Sequence, residues 1–237
     1  MKNDWKIEVL RGPDRIRKRP AVVFGDTGRE GATEAARMIL NVFLIEAQLG
    51  FCEKISFKLV SEDTVLIESR DRGFLLDETE LDGKPSWYYD FCDFGVPPRE
   101  ASDEYMYTVG RKYGAFYGLP EEELPAFKSK GDPAFQLCCV QYASEWMKVE
   151  SVHDNLWKRI SFEKGYPVGQ TEKRAVSEPS YTRFSYKLDP EVFSDVSVSF
   201  YDVAKFMRES TSFLKGFVYS CSEEDRTIDL VRTEENA

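Results

Sequence analysis

Glu46 is the first residue that invites a chemical reading. It falls in a run where Ala35, Met38, Ile39, Val42 and Phe43 recur at helical spacing, so its carboxylate sits on a largely apolar stripe. A carboxylate placed there is either catalytic or one half of a structural ion pair, and the ion pair is the more ordinary reading. His153 is the sole histidine, with no nearby Ser or Cys nucleophile to complete a triad. Cys52, Cys92, Cys138, Cys139 and Cys221 are odd in number and contain no C-x-x-C pair. Neither a zinc site nor a disulfide framework is expected from them; they read as reduced, mostly buried thiols of a cytoplasmic protein.

Two further clusters could bind rather than react. Residues 86–117 hold Trp87, Tyr88, Tyr89, Phe91, Phe94, Tyr105, Tyr107, Tyr113, Phe116 and Tyr117. Such rings stack bases or anchor protein interfaces. Asp90, Asp93, Glu100, Asp103 and Glu104 lie among them and would repel phosphates, so packing or a protein contact, including a homodimer, is favoured over nucleic acid. Arg11, Arg15, Arg17, Lys18 and Arg19 form the only dense basic run.

The charge balance narrows the partners. The formal net charge is −10 over 237 residues. Phosphate attraction supplies most non-specific nucleic-acid affinity, so DNA is not an expected partner for this chain by itself, and an anionic membrane surface is no better. The N-terminus, MKNDWKIEV, has no apolar core of a signal peptide, and no stretch approaches membrane-spanning length.

The elements that must position these residues alternate helices with hairpins. Residues 1–30 read as a polar, basic arm broken by Pro13, Pro20, Gly25 and Gly28. The first helix is predicted over 33–49, with Thr33 as N-cap and Gly50 as its stop. Ile55, Phe57 and Leu59, then Val65 and Ile67, alternate with polar residues and predict a hairpin turning at Ser61, Glu62 and Asp63. Helical periodicity returns at Phe135, Cys138, Tyr142, Trp146 and Val149. Strands are predicted near 157–163, 181–186, 216–221 and 226–231. A last helix is predicted over 200–214, capped by Ser199 with Asp202 as partner, and carrying Val203, Phe206, Met207, Phe213 and Leu214 on its apolar face. This order implies an α+β class, a mixed sheet with helices on one face, in one domain.

Residues 17–27, RKRPAVVFGDT, resemble the gyrase B and topoisomerase IV segment R-K-R-P-G-M-Y-I-G-D-T. The family's next helix carries E-V-V-D-N-A-x-D-E-A, where this chain has Met38-Ile39-Leu40-Asn41-Val42-Phe43-Leu44-Ile45-Glu46-Ala47. Gly50 and Cys52 match G-x-C, and Ser69-Arg70-Asp71-Arg72-Gly73-Phe74-Leu75 stands where the family has D-D-G-R-G-I-P. The resemblance is clear over residues 7–75, fainter over 134–231, and absent from 76–133, which reads as a divergent aromatic insertion in place of the ATP-lid region.

The resemblance implies a Bergerat-type (GHKL) two-layer sandwich, its sheet mixed and mainly antiparallel. It also implies where chemistry should be. The family's water-orienting glutamate and Mg²⁺-binding asparagine fall on Met38 and Val42, which can do neither. Glu46 matches a family glutamate that is not catalytic. The adenine-binding aspartate falls on Ser69 in the ungapped register, with Gly73 the following glycine; a shifted register would use Asp71. The region Phe135-Gln136-Leu137-Cys138-Cys139-Val140 offers none of the lid's phosphate-cradling glycines. Ser180 echoes the late-strand threonine. The resemblance therefore implies a degenerate gyrase-B-like domain that has lost ATP hydrolysis and acts as a binding or regulatory module, with no metal and no cofactor. The alternative is a divergent ATP binder or ATPase related to the gyrase-type topoisomerases, using ATP and Mg²⁺ at Ser69, Asp71, Gly73 and Ser180. The chain ends before the transducer and metal-binding (toprim) modules of the family, so DNA passage by this chain alone is not expected.

Overall fold

A computed structural model describes residues 9–48, 50–74, 76, 84–92, 133–212, 214, 216–224 and 226–231. The described part of the arm, from residue 9, is not irregular. It forms two short helices, α1 (Asp14–Arg17) and α2 (Pro20–Phe24), the second opened by a proline at its first position. Arg17 anchors the arm to the body. Its guanidinium bonds Asp189 at 2.7 Å, Glu191 at 3.0 Å and the Tyr142 carbonyl at 3.2 Å. Pro13 packs so closely on Gly165, at φ +91°, that a Cβ there would come within 2.5 Å of the proline ring.

α3 (Arg29–Gln48) starts a turn earlier than expected. Thr33 is not its cap. The Thr33 hydroxyl donates to the Arg29 carbonyl within the helix, and the same oxygen accepts the Ser199 N–H at 2.9 Å. That bond ties α3 to the start of the last helix. Gly50, at φ +79°, follows the end of α3 as expected. The hairpin β1 (Lys54–Ser61) and β2 (Thr64–Arg70) buries Ile55, Phe57, Leu59, Val65 and Ile67 on one face. α4 (Ser86–Phe91) precedes α5 (Pro133–Tyr142) in the described chain.

The helix periodicity read across 135–149 overran its element. α5 ends at Tyr142, and Trp146 and Val149 belong to β3 (Ser144–His153). Met147, Val149 and Ser151 are buried at alternate positions, the signature of a strand, and of these only Val149 also fitted the 3.6-residue spacing. β4 (Leu156–Glu163) pairs with β3 and with two short edge strands, β5 (Tyr166–Pro167) and β6 (Glu172–Ala175). β7 (Tyr181–Leu188) buries Thr182, Phe184, Tyr186 and Leu188.

α6 (Phe200–Ser210) starts as expected, with the Ser199 hydroxyl accepting the Asp202 N–H, but stops at Thr211 rather than running to 214. Val203, Phe206 and Met207 are buried, and Leu214 packs on the core after the helix has ended. Phe213 lies outside the described residues. β8 (Val218–Glu223) and β9 (Arg226–Val231) complete a nine-stranded sheet whose main path runs β5-β4-β3-β7-β2-β1-β8-β9. Every pairing is antiparallel except β1 with β8. The fold is thus α+β, a mixed and mainly antiparallel sheet with α3, α5 and α6 packed on its apolar face.

Candidate functional site

The end of β2 runs into a bend that brings Ser69, Asp71 and Gly73 together. Asp71 is the centre. Its Oδ1 accepts the Gly73 N–H at 2.9 Å and the Thr182 hydroxyl at 2.9 Å, and its Oδ2 accepts the Ser69 hydroxyl. Ser69 and Thr182 are buried, and Asp71 is half-buried above them. Gly73 stands at φ +82°, where a Cβ would meet the Val152 carbonyl oxygen at 2.1 Å, so this position takes no side chain without moving the bend. The bend is also pinned by His153, whose Nδ1 lies 2.7 Å from the Arg72 carbonyl oxygen.

Ser180 does not join this cluster; it lies just before β7. Thr182, two residues on, takes the place opposite Ser69. Thr182 could have been found from the sequence, because inward positions of β7 alternate as Thr182, Phe184 and Tyr186. The serine of the cluster, Ser69, donates its hydroxyl to Asp71, so the charged group of the cluster is the Asp71 carboxylate.

Met38 and Val42 are 8% and 3% exposed and belong to the apolar core. Two hydrophobic side chains of this kind cannot hold Mg²⁺, which takes oxygen ligands in octahedral geometry. Asn41 does not substitute for them. It is buried, its amide nitrogen bonds Gln136 of α5 at 3.1 Å, and one neutral oxygen is a poor site for a divalent cation. Among the described residues no three His, Cys, Asp or Glu side chains gather as a metal site would require. Residues Phe135–Val140 lie inside α5, where backbone N–H groups from the second turn onward are taken up by the helix itself.

Glu46 is an ion-pair residue here. Both its oxygens meet the Arg72 guanidinium, at 2.8 and 3.1 Å from Nη2, and Arg72 lies 3.6 Å from the Phe51 ring centroid. Of the aromatic segment, Tyr89 and Phe91 are buried in their own chain. Phe91 inserts among Phe162, Phe74 and Phe184 at centroid distances of 5.4, 5.7 and 5.9 Å. Trp87 stands edge-on to Phe162, and Tyr142 donates its hydroxyl to the Cys92 carbonyl. Phe94, Tyr105, Tyr107, Tyr113, Phe116 and Tyr117 lie outside the described residues. None of the five cysteines is in a disulfide, and burial pushes the thiols of Cys52 and Cys139 well above the ordinary range. No described helix is long and apolar enough to cross a membrane.

Comparison with known proteins agrees with this architecture. The chain shares 28% identity over 209 residues with the type 2 topoisomerase B subunit of Aquifex aeolicus, covering 86% of this chain and 23% of that protein. It shares 28% over 215 residues with the DNA gyrase B subunit of Thermus thermophilus, covering 89% and 30%. With the DNA topoisomerase 4 B subunit of Bacillus subtilis it shares 26% over 219 residues, covering 90% and 30%. The chain is related to the B subunits of gyrase and topoisomerase IV. No family model matches it. Its fold is that of the gyrase B ATPase domain. The solved 43K ATPase domain of Thermus thermophilus gyrase B, in complex with an aminocoumarin, superposes with a TM-score of 0.71 over 95% of this chain and 52% of that one, at 21% identity. The chain spans about a quarter to a third of the length of these curated relatives.

Proposed function

We propose that this chain is a gyrase-B-like domain that has lost ATP hydrolysis and serves as a binding or regulatory module. One observation carries the reading: the two helix positions that should orient water and hold Mg²⁺ are the buried hydrophobic side chains Met38 and Val42. A positioned general base contributes about 10²–10⁴-fold to rate, and phosphoryl transfer rests almost wholly on positioning and charge stabilisation. Glu46, the carboxylate on the same helix, is committed to Arg72. The test is a coupled ATPase assay on the full chain with Mg²⁺. Turnover that is lost on mutating Asp71 or Glu46 would overturn the reading.

A second reading, binding of a nucleotide without turnover or with a rearranged site, is favoured by the Asp71 cluster. A half-buried carboxylate set among hydroxyl and backbone N–H donors is the chemistry that recognises an exocyclic amine. Thermal-shift measurements with ATP and ADP, each with and without Mg²⁺, separate the two, since a ligand that binds only the folded state raises its stability. Five thiols outside any disulfide suit a reducing, cytoplasmic compartment. Residues 86–117 remain our proposed surface for a protein partner or a second copy, reduced by the burial of Tyr89 and Phe91.

A further inference from the structure

The sheet face turned away from α3, α5 and α6 carries a complete charge ladder. Glu68 of β2, Arg183 of β7, Glu150 of β3, Arg159 of β4 and Glu172 of β6 stand opposite one another in turn. They alternate in sign, and each meets the next, at 2.6, 3.2, 3.9 and 2.7 Å along the row. Further along β3 and β4, on the same face, the pairing stops. Lys148 stands opposite Ser161, and Trp146 opposite Glu163. Neither Lys148 nor Glu163 forms an ion pair with any described residue. Instead, the Lys148 ammonium lies 5.5 Å from the Trp146 ring centroid.

These four residues line a cavity of about 690 Å³, a size usual for small-molecule sites. The small Ser161 side chain leaves the hollow between the Trp146 row and the charge ladder. The chain after β4 supplies a wall. There the Val168 N–H donates to the Ser161 carbonyl at 2.9 Å, and β5 pairs with Phe162 and Glu163, so the wall is held in place without a ligand. The cavity is open to solvent, because Lys148, Glu163 and Val168 are exposed and Trp146 is half-buried. The other charges on its lining are already committed, Glu145 to Lys187 at 2.7 Å and Lys164 to Glu191 at 2.9 Å.

We propose that this cavity binds a zwitterionic α-amino acid with an apolar or aromatic side chain. The ligand's carboxylate meets Lys148, its ammonium meets Glu163, and its side chain packs on Trp146 and Val168. One uncommitted charge of each sign beside a single ring is complementary to a ligand that carries both signs and an apolar body. A phosphorylated ligand fits worse, because Glu145 and Glu163 share its sign and, of the two lining lysines, only Lys148 is uncommitted. A purely cationic ligand meets the Lys148 ammonium. The site goes beyond the proposed function and does not rest on it: Ser69 and Thr182 of the Asp71 cluster lie on the helix-covered face, so either site can fail while the other stands.

The test is an NMR titration of the full chain that follows the Trp146 indole N–H, assigned with Trp146→Phe. The probes are L-phenylalanine, N-acetyl-L-phenylalanine, L-phenylalaninamide and N-acetyl-L-phenylalaninamide, which carry both charges, the carboxylate, the ammonium and neither. L-phenylalanine should bind about tenfold more tightly than either singly charged probe, the factor that one charge-assisted contact supplies, and the uncharged probe should bind most weakly. Lys148→Gln should weaken L-phenylalanine and its N-acetyl form about tenfold and spare the amide. Glu163→Gln should weaken L-phenylalanine and the amide and spare the N-acetyl form. Misfolding cannot produce this crossed pattern, since it would weaken every probe alike. An indole resonance that L-phenylalanine does not move overturns the site. So does equal binding of the uncharged probe, which would assign the face to a segment of a partner protein. Affinity that falls as the protein concentration rises also overturns it, and assigns the face to a second copy of the chain.

Discussion

Thr182 donates its hydroxyl to the Asp71 carboxylate at 2.9 Å, joining β7 to the bend after β2 across 111 residues of sequence. With the Ser69 hydroxyl and the Gly73 N–H, it makes Asp71 the keystone of the bend. Asp71→Asn should therefore destabilise the chain by about 2–4 kcal/mol, because the amide has one acceptor where the carboxylate has two and turns an N–H toward a donor. Thr182→Val should cost about 1–3 kcal/mol, since it removes one hydrogen bond to a charged group. Urea unfolding of both variants checks the order; a neutral Asp71→Asn would mean that water braces the bend instead.

The Glu46–Arg72 pair joins α3 to the same bend, with side chains 10% and 23% exposed. Truncating one partner leaves the other charge partly desolvated. We expect Glu46→Ala to cost about 3 kcal/mol and the double variant with Arg72→Ala to cost clearly less than the sum of the singles. A double-mutant cycle in urea measures the coupling. Some loss from Arg72→Ala will remain uncoupled, because Arg72 also covers the Phe51 ring.

The β1–β2 hairpin, the strands β4, β7, β8 and β9 and the cap of α6 were legible in the sequence because each rests on a local signal, such as alternation at Ile55, Phe57 and Leu59 or a serine ahead of an apolar helical run. The end of α5 was not legible, because Trp146 and Val149 continued the helical spacing of Phe135, Cys138 and Tyr142, although in β3 they lie on opposite faces. Thr33 read as a cap because its partner, the Ser199 N–H, lies 166 residues away. The site divided in the same way. Met38 and Val42 could be read from their helix alone, whereas alternation marks Thr182 only as an inward position of β7, and its place at Asp71 depends on the pairing of β7 with β2.

The thiols should differ sharply in reactivity. The thiolate is the attacking species, and burial raises the thiol pKa of Cys52 and Cys139, so at mildly alkaline pH they hold less thiolate than a free cysteine. Cys138 and Cys221 are also buried, and Cys92 alone is half-buried. In native protein treated with an aromatic disulfide reagent, Cys92 should react first and the others only on unfolding. Peptide mapping identifies the labelled site; fast labelling of Cys52 would show that the end of α3 opens readily.

Duplex DNA should bind weakly at physiological salt. The net charge is −10, and the basic arm is partly consumed: Arg17 by Asp189 and Glu191, Lys18 by Asp14 at 3.3 Å. Fluorescence anisotropy across a salt series measures this directly. Sub-micromolar affinity with a steep salt slope, lost on neutralising Arg15, Arg17 and Lys18, would reverse the expectation.

Restoring the two family side chains should not restore an ATPase. Met38→Glu and Val42→Asn would put a carboxyl and an amide at positions 8% and 3% exposed, among Ile39, Phe43 and their neighbours. A buried polar group without a partner costs about 1–3 kcal/mol by protein mutational data, and an unpaired carboxylate more, so it would take up a proton rather than orient water. Phe135–Val140 would still be helix, with no glycine loop to bring N–H groups to phosphates. The double variant should unfold at clearly lower urea and show no turnover above background. Ordinary enzymatic turnover, on the order of 1 s⁻¹ or faster, would mean instead that the cleft keeps a nucleotide-competent geometry and has lost only two side chains.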